Sequence, residues 1–354
     1  MKKICFITMG NLYLTPYLEM YRNIVGDSFD IIYWDRENKN EHIKCNSAYR
    51  FKYDIKNISI FKKIVGYIKY RSFIKKIIKH TKYDRVVLLQ TWASLLLYGI
   101  INRLYKDRYI VDIRDYTYEN NILIRTIEKK VLKCAEMRLV SSEGFKHFLP
   151  KEMTYHAIHN IRNLKEEERI EIINRSHSSK PIRISFIGFV NYMDINKQLI
   201  QALGNDDRFH LNFIGTNALK LKEYCEANKI GNVTLIDTFK PEEILRFYQK
   251  TDIINNLYGH NDPRLDYALS NKLYFAVQLK MPILVFTNTY MAEVSKAYNL
   301  GIEIDELNRD LGDRIYHKYM NIDWNELSTE CDKLLIKIQK EQSETIESLT
   351  KSML

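Results

Sequence analysis

The chain has 354 residues, 45% apolar and 28% charged, with 12 glycines and 6 prolines; this is the make-up of a folded globular protein and excludes disorder or collagen-like structure. No run of roughly 18 apolar residues occurs, so no transmembrane helix is expected. The formal net charge of +10 is unevenly placed: residues 1–150 hold 28 Lys/Arg against 15 Asp/Glu (+13), and the remainder 26 against 29 (−3).

Lys3–Thr8 reads as a buried first strand, since its apolar run is too short for a signal peptide and Asn11 interrupts it. A turn at Gly10 and Asn11 opens a helix expected over Asn11–Val25, followed by a strand over Ser28–Trp34 and a polar stretch from Asp35 to Asn46. Ile60–Ile78 has helical spacing, with Phe61, Ile64, Val65, Ile68, Phe73, Ile74, Ile77 and Ile78 as its apolar side. Lys62, Lys63, Lys69, Lys75, Lys76 and Lys79 spread over the rest of that helix. Such a helix is either a solvated surface element or a dock for anionic lipid; no nucleic-acid module accompanies it. Then come strand Arg85–Gln90, helix Ala93–Tyr105, strand Tyr109–Ile113, helix Asn121–Glu136 and strand Met137–Val140, with Ser141 and Ser142 capping a short helix.

The charged segment Asn163–Lys180 lacks a sheet pattern and ends in Ser178, Ser179, Lys180 and Pro181, which marks a linker. The alternation restarts with strand Arg183–Ile187, helix Asn196–Leu203, strand His210–Ile214, helix Leu219–Asn228 and strand Val233–Ile236. Helix Pro241–Lys250, strand Ile253–Leu257, helix Asn271–Leu279, strand Ile283–Phe286 and helix Met291–Tyr298 follow, and a long helix runs from Asn325 to about Thr350. Strands alternating with helices imply α/β structure with doubly wound parallel sheets. The expected organisation is a domain over 1–162, a linker over 163–181, a second domain over 182–322 and a helix over 323–354 returning toward the first domain, with the two domains facing a cleft.

Open α/β sheets bind ligands at the carboxyl ends of their strands, so loop residues there are the candidates. Ser270, Asn271 and Lys272 open an apolar helix, whose first N–H groups and dipole form an anion site to which Lys272 adds charge. That suits a nucleoside diphosphate. Gly188 and Asn191 follow one strand and Gly215 the next, where glycine permits close backbone approach. Asn256 and Tyr258 end a third strand, and Arg264 and Asp266 lie on the loop behind it. In the first half, Asp112 or Asp115 is a candidate base for an acceptor hydroxyl, Arg114 a candidate anion ligand, and Gly10 with Asn11 sits on the same edge. The alternative for Asp112, Arg114 and Asp115 is an internal ion pair that fixes the loop. The five cysteines are scattered without a Cys-x-x-Cys and the nine histidines form no ligand spacing. Free thiols, a reducing cytoplasm and no metal site are therefore expected.

Ser270–Tyr274 with Lys280–Val285 resembles the donor-domain signature of group 1, family 4 glycosyltransferases of the two-domain GT-B type from bacterial capsule and O-antigen clusters. Asp112–Tyr116 is similar to the family's acceptor-side loop, and Cys134–Glu136 with Ser141–Gly144 to the strand and turn that follow it. The resemblance implies two Rossmann-like domains. It also implies sugar transfer from a nucleoside diphosphate sugar to a lipid-linked saccharide at the inner face of the cell membrane, without a further cofactor. The family's paired glutamates would fall at Tyr267 and Phe275, neither acidic, so Asp266 or Glu293 would replace the ribose contact, and Lys197 is the nearest basic residue after Gly188. The missing glutamates leave two alternatives: a catalytically silent subunit binding a partner enzyme or membrane, and a sugar-nucleotide epimerase.

Overall fold

The computed structural model describes residues 2–54, 59–173 and 181–354. The chain forms two compact units, residues 1–160 with 339–354, and residues 161–338.

The first unit runs β1 (Ile4–Thr8), α1 (Leu18–Val25), β2 (Asp30–Asp35), β3 (Ser47–Lys52), α2 (Ile60–Thr81), β4 (Arg85–Leu89), α3 (Thr91–Leu97), α4 (Ile100–Leu104), β5 (Tyr109–Ile113), α5 (Ile122–Lys133), β6 (Met137–Val140) and β7 (His156–Ala157). Its seven strands lie in the order β3-β2-β1-β4-β5-β6-β7, every pair parallel. β1 is buried throughout, as befits a central strand covered on both faces.

The second unit runs α6 (Glu166–Ile173), β8 (Ile182–Ile187), α7 (Met193–Leu203), β9 (Phe209–Ile214), α8 (Lys222–Ala227), β10 (Val233–Ile236), α9 (Ile244–Tyr248), β11 (Ile253–Asn255), α10 (Pro263–Asp266), α11 (Asn271–Leu279), β12 (Ile283–Phe286), α12 (Tyr290–Ala297), β13 (Gly301–Ile304) and α13 (Leu311–Met320). Its strands lie in the order β10-β9-β8-β11-β12-β13, again all parallel. The last helix, α14 (Trp324–Met353), contributes Cys331, Leu334, Leu335 and Ile338 to a core of the second unit. Its distal part puts Leu349 and Met353 into the core of the first, where Thr345 Oγ1 donates to the Ala157 carbonyl at 2.7 Å.

Several elements depart from the sequence pattern. The helix expected over Asn11–Val25 is a single 3-10 turn, Leu12–Leu14, then α1, because Pro16 cannot continue a helical hydrogen-bond ladder. Gly99, at φ +78, splits Ala93–Tyr105 into α3 and α4. The polar edge strand β3, the two-residue β7, and the β13–α13 pair carry too little apolar pattern to be seen in advance. The expected linker contains α6, and its end at 174–180, including Ser178, Ser179 and Lys180, lies outside the described residues.

The apolar side of α2 is the largest correction. Gly66, Tyr70, Ile74 and Ile78 face inward. A Cβ at Gly66 would meet the Tyr53 ring at 2.8 Å and Trp34 at 3.1 Å, so glycine sets the approach of this helix. Phe61, Ile64 and Ile68, expected inside, are exposed by 74%, 51% and 62%, as is Ile60 by 77%, and all six lysines lie in solvent beside them.

Candidate functional site

In each sheet the strand order reverses at one place, between β1 and β4 in the first unit and between β8 and β11 in the second. A crevice opens at such a point because the flanking connections leave in opposite directions. In the second unit it holds a cavity of about 470 Å³, lined from the ends of β8 (Ile187, Gly188, Phe189), β11 (Asn256, Tyr258, Gly259) and β12 (Phe286, Thr289), and from α11 (Asn271, Lys272, Phe275). Ser270 caps α11 by accepting the Lys272 N–H at 3.2 Å, which aims the first turn into the cavity.

Lys272 is the electrostatic centre of this pocket. It is 4% exposed, and its ammonium donates to the Tyr258 hydroxyl at 2.6 Å. It lies 3.5 Å from the centroid of the Phe186 ring and 4.4 Å from that of Tyr258, a geometry in which ring quadrupoles hold a cation. Burial lowers its pKa, and Tyr258 opposes that shift. For Tyr258, burial acts upward, but the Lys272 charge and hydrogen bonds from Lys272 and Ser270 bring it below the usual phenol value. No carboxylate lines the cavity among the described residues. Asn256 is 5% exposed and its Oδ1 has no hydrogen-bond partner. A buried cation without a counter-ion, an unpartnered acceptor and a helix start thus converge on one space, which an anionic ligand with a hydrogen-bond donor would complete.

Of the residues singled out in the sequence, Gly188, Asn256, Tyr258, Asn271 and Lys272 line this cavity. The others are held elsewhere. Gly215 packs on Gly188, where an added Cβ would lie 1.9 Å from the Gly188 carbonyl oxygen, so its close approach is to backbone and not to ligand. The Asn191 carbonyl accepts from Asn196 Nδ2 at 2.6 Å. Lys197 lies over the Tyr224 ring at 5.6 Å and lines a different groove. Arg264 is bound by Asp262, the cap of α10. Asp266 and Glu293 are absent from the cavity wall. Sequence reasoning missed its apolar wall: Ile244, Tyr248, Leu265, Leu269, Phe275 and Met291.

In the first unit, Asp112 is fully buried and in ion-pair contact with Arg114 Nε at 2.7 Å, and accepts from Arg114 Nη2 at 2.8 Å and Tyr21 OH at 2.7 Å. Arg114 donates onward to Asn160 Oδ1 at 2.6 Å and lies over Tyr17. These two form an internal ion pair. Asn11 is likewise consumed: its amide nitrogen donates to Asp35 and Glu41, both at 2.8 Å, and its oxygen accepts the Arg36 N–H. Gly10 is buried, and a Cβ there would make only ordinary contact with Leu14. Asp115 alone of this group is exposed, its pKa raised by the surrounding protein mass against the pull of Arg114. Trp92 and Tyr118 form an exposed ring pair with centroids 6.4 Å apart. Tyr118 itself, at φ +67, and Gln90, two residues before Trp92 at φ +88, ψ 143, are strained backbone positions. Among the described residues, no three His, Cys, Asp or Glu come together to hold a metal.

No family model matches the chain, and no curated protein matches it in sequence. Solved structures match it over nearly its whole length. The sucrose-phosphate synthase of Thermosynechococcus elongatus superposes with a TM-score of 0.68 at 11% identity, covering 99% of this chain and 100% of that one. HepE of Anabaena in complex with UDP gives 0.66 at 10% identity, covering 99% and 100%. The lipopolysaccharide outer core galactosyltransferase WaaB gives 0.65 at 13% identity, covering 94% and 95%. The fold is GT-B. Within this GT-B chain, the position where the family resemblance places the second glutamate holds Phe275, stacked on Tyr248 at 4.6 Å and 23°.

Proposed function

We propose that this GT-B protein is a glycosyltransferase that moves a sugar from a nucleoside diphosphate sugar to a lipid-linked saccharide of bacterial surface polysaccharide. The observation that carries this reading is the buried Lys272 at the start of α11, inside the switch-point cavity and without a counter-ion among the described residues. Charge grows on the diphosphate as its bond to the sugar breaks. Lys272 and the first N–H groups of α11 are fixed in place to receive that charge, so little reorganisation is needed. Asn256 Oδ1 accepts a donor hydroxyl, and Asp115, the exposed carboxylate of the loop after β5, receives the acceptor proton. HepE, a neighbour in fold, is solved with UDP and with UDP-glucose, which supports a nucleotide-sugar donor.

The protein works as a peripheral protein at the inner face of the cell membrane. Support comes from α2, which exposes Ile60, Phe61, Ile64 and Ile68 between Lys62, Lys63, Lys69, Lys75, Lys76 and Lys79. The apolar row enters the headgroup boundary, and each lysine adds about 1 kcal/mol on an anionic surface. The described residues contain no helix long and apolar enough to cross a membrane.

The direct test is release of nucleoside diphosphate from a panel of sugar donors in the presence of a bacterial lipid extract. Lys272→Ala should lower turnover by roughly 10²–10³-fold; full activity in that variant would refute the assignment. Phe275 and Tyr267 in place of acidic residues favour a second reading, a silent subunit that binds the donor without transferring it. Donor binding with no release against any extract would select that reading.

A further inference from the structure

Arg36 follows β2 at the carboxyl edge of the first sheet, and its guanidinium is held in place by rings. The guanidinium carbon lies 4.7 Å from the centroid of the Trp34 ring and 5.9 Å from that of Tyr67 on α2. The two rings meet edge to face at 5.1 Å and 81°, and Trp34 Nε1 donates to the Tyr53 carbonyl at 2.8 Å, so the platform is fixed. The carboxylates of the same segment are engaged elsewhere. Asp35 is paired with Arg50 and accepts from Asn11, Glu37 is paired with Lys39, and Glu41 accepts from Asn11 and from the Leu12 and Tyr13 N–H groups. Arg36 enters no ion pair among the described residues, and its Nε is buried without a hydrogen-bond partner. Ring faces hold a guanidinium flat but leave its fork of N–H donors unmet, and an unmet buried donor costs free energy that an anion would restore.

The surroundings indicate which anion. Tyr67 shares its face of α2 with Lys63 and Ile64, one turn earlier, and both of these are exposed. Lys69 lies over the Tyr53 ring at 5.4 Å. Cations, an apolar side chain and an unmet fork therefore stand together on the helix that the reading above places at a membrane surface, where the anions are lipid phosphates. Trp34 is fully buried and Arg36 only partly exposed, so the anion has to reach inward. A phosphate esterified at one end presents bare oxygens to both arms of the fork, whereas one covered by a further headgroup does not.

We propose that Arg36 is a phosphate site that takes the terminal phosphate monoester of a membrane lipid beside α2. The site rests on the membrane reading of α2 and is independent of the donor cavity.

The test is cosedimentation of the full chain with phosphatidylcholine vesicles carrying either phosphatidate or phosphatidylglycerol, matched in surface charge. The parent should bind the phosphatidate vesicles about tenfold more tightly, the gain expected of a hydrogen-bonded ion contact. Arg36→Gln should bind both vesicles alike. Arg36→Lys, which keeps the charge but not the fork, should lose most of the preference too, and Lys76→Gln should weaken both vesicles equally. Thermal unfolding checks the fold of each variant. Equal binding of both vesicles by the parent, or a preference that survives in a folded Arg36→Gln or Arg36→Lys protein, overturns the proposal while leaving the membrane reading intact. Arg36-dependent binding of inorganic phosphate, read by calorimetry, without a preference for phosphatidate vesicles overturns the lipid source. Binding of neither vesicle overturns the membrane reading and this proposal with it.

Discussion

Glu128 on α5 offers a quantitative test of the first unit. It is fully buried, and neither carboxyl oxygen has a hydrogen-bond partner. Burial pushes its pKa from 4.5 up to about 8, and the nearby Glu119 adds to the shift. Glu119 is itself buried; desolvation raises it to about 7 against hydrogen bonds from its own N–H and that of Thr117. Both folded-state values lie above the unfolded ones, so the folded protein retains protons that the unfolded chain has released. The associated stability is therefore complete below about pH 4.5 and is lost as pH rises through 7 to 8. A shift of that size in Glu128 corresponds to roughly 3–5 kcal/mol at 1.36 kcal/mol per pH unit. Glu128→Gln keeps the shape of the protonated acid and removes the titration. It should match the parent near pH 4.5 and exceed it by roughly 3 kcal/mol at pH 8.5. Urea unfolding followed by tryptophan fluorescence in a Trp324→Phe background reads this unit, since Trp34 and Trp92 both belong to it. Identical pH profiles for parent and variant would refute the reasoning.

Three other outcomes follow from particular contacts. Gly215→Ala places a Cβ 1.9 Å from the Gly188 carbonyl oxygen at φ +129; it should cost about 3 kcal/mol or more in a urea titration, while Gly10→Ala should change little, and a tolerated Gly215→Ala would contradict the packing beneath the cavity. Arg114→Ala strands the buried Asp112 carboxylate and should destabilise by about 3–5 kcal/mol; a loss below about 1 kcal/mol would show that the pair is not structural. Replacing Lys62, Lys63, Lys75 and Lys76 by Glu should abolish pelleting with anionic vesicles, and Phe61→Ser should weaken it in neutral ones; unchanged pelleting would remove the membrane from the account.

How far the sequence could be read depends on where each partner lies. Central parallel strands such as β1 and β4 are continuous apolar runs and declare themselves. β3 is a polar edge strand and β7 has two residues, so neither does. Asn271–Leu279 and Ile283–Phe286 stand where their pattern puts them, because a serine cap and a Pro282 turn fix their ends locally. Lys272 was legible for the same reason. Asn11 was not, since its partners Asp35 and Glu41 are remote in sequence; the Asp112–Arg114 pair stood among the readings, and only Tyr21, remote in sequence, is added to it. Arg264, a candidate from its loop position, has its guanidinium held by the cap residue Asp262 two positions before it. On α2 two apolar rows compete, and only the sheet decides that Tyr70, Ile74 and Ile78 go inside while Phe61 and Ile68 stay out.

The central claim is that the second unit's cavity holds a nucleoside diphosphate through Lys272. A thermal-shift screen of the whole protein against UDP, GDP, CDP and their sugars tests it most directly, with Lys272→Ala run in parallel. A rise in unfolding temperature with one diphosphate series, absent in the variant, is the expected result. No rise with any nucleotide, or a rise that survives Lys272→Ala unchanged, would contradict it.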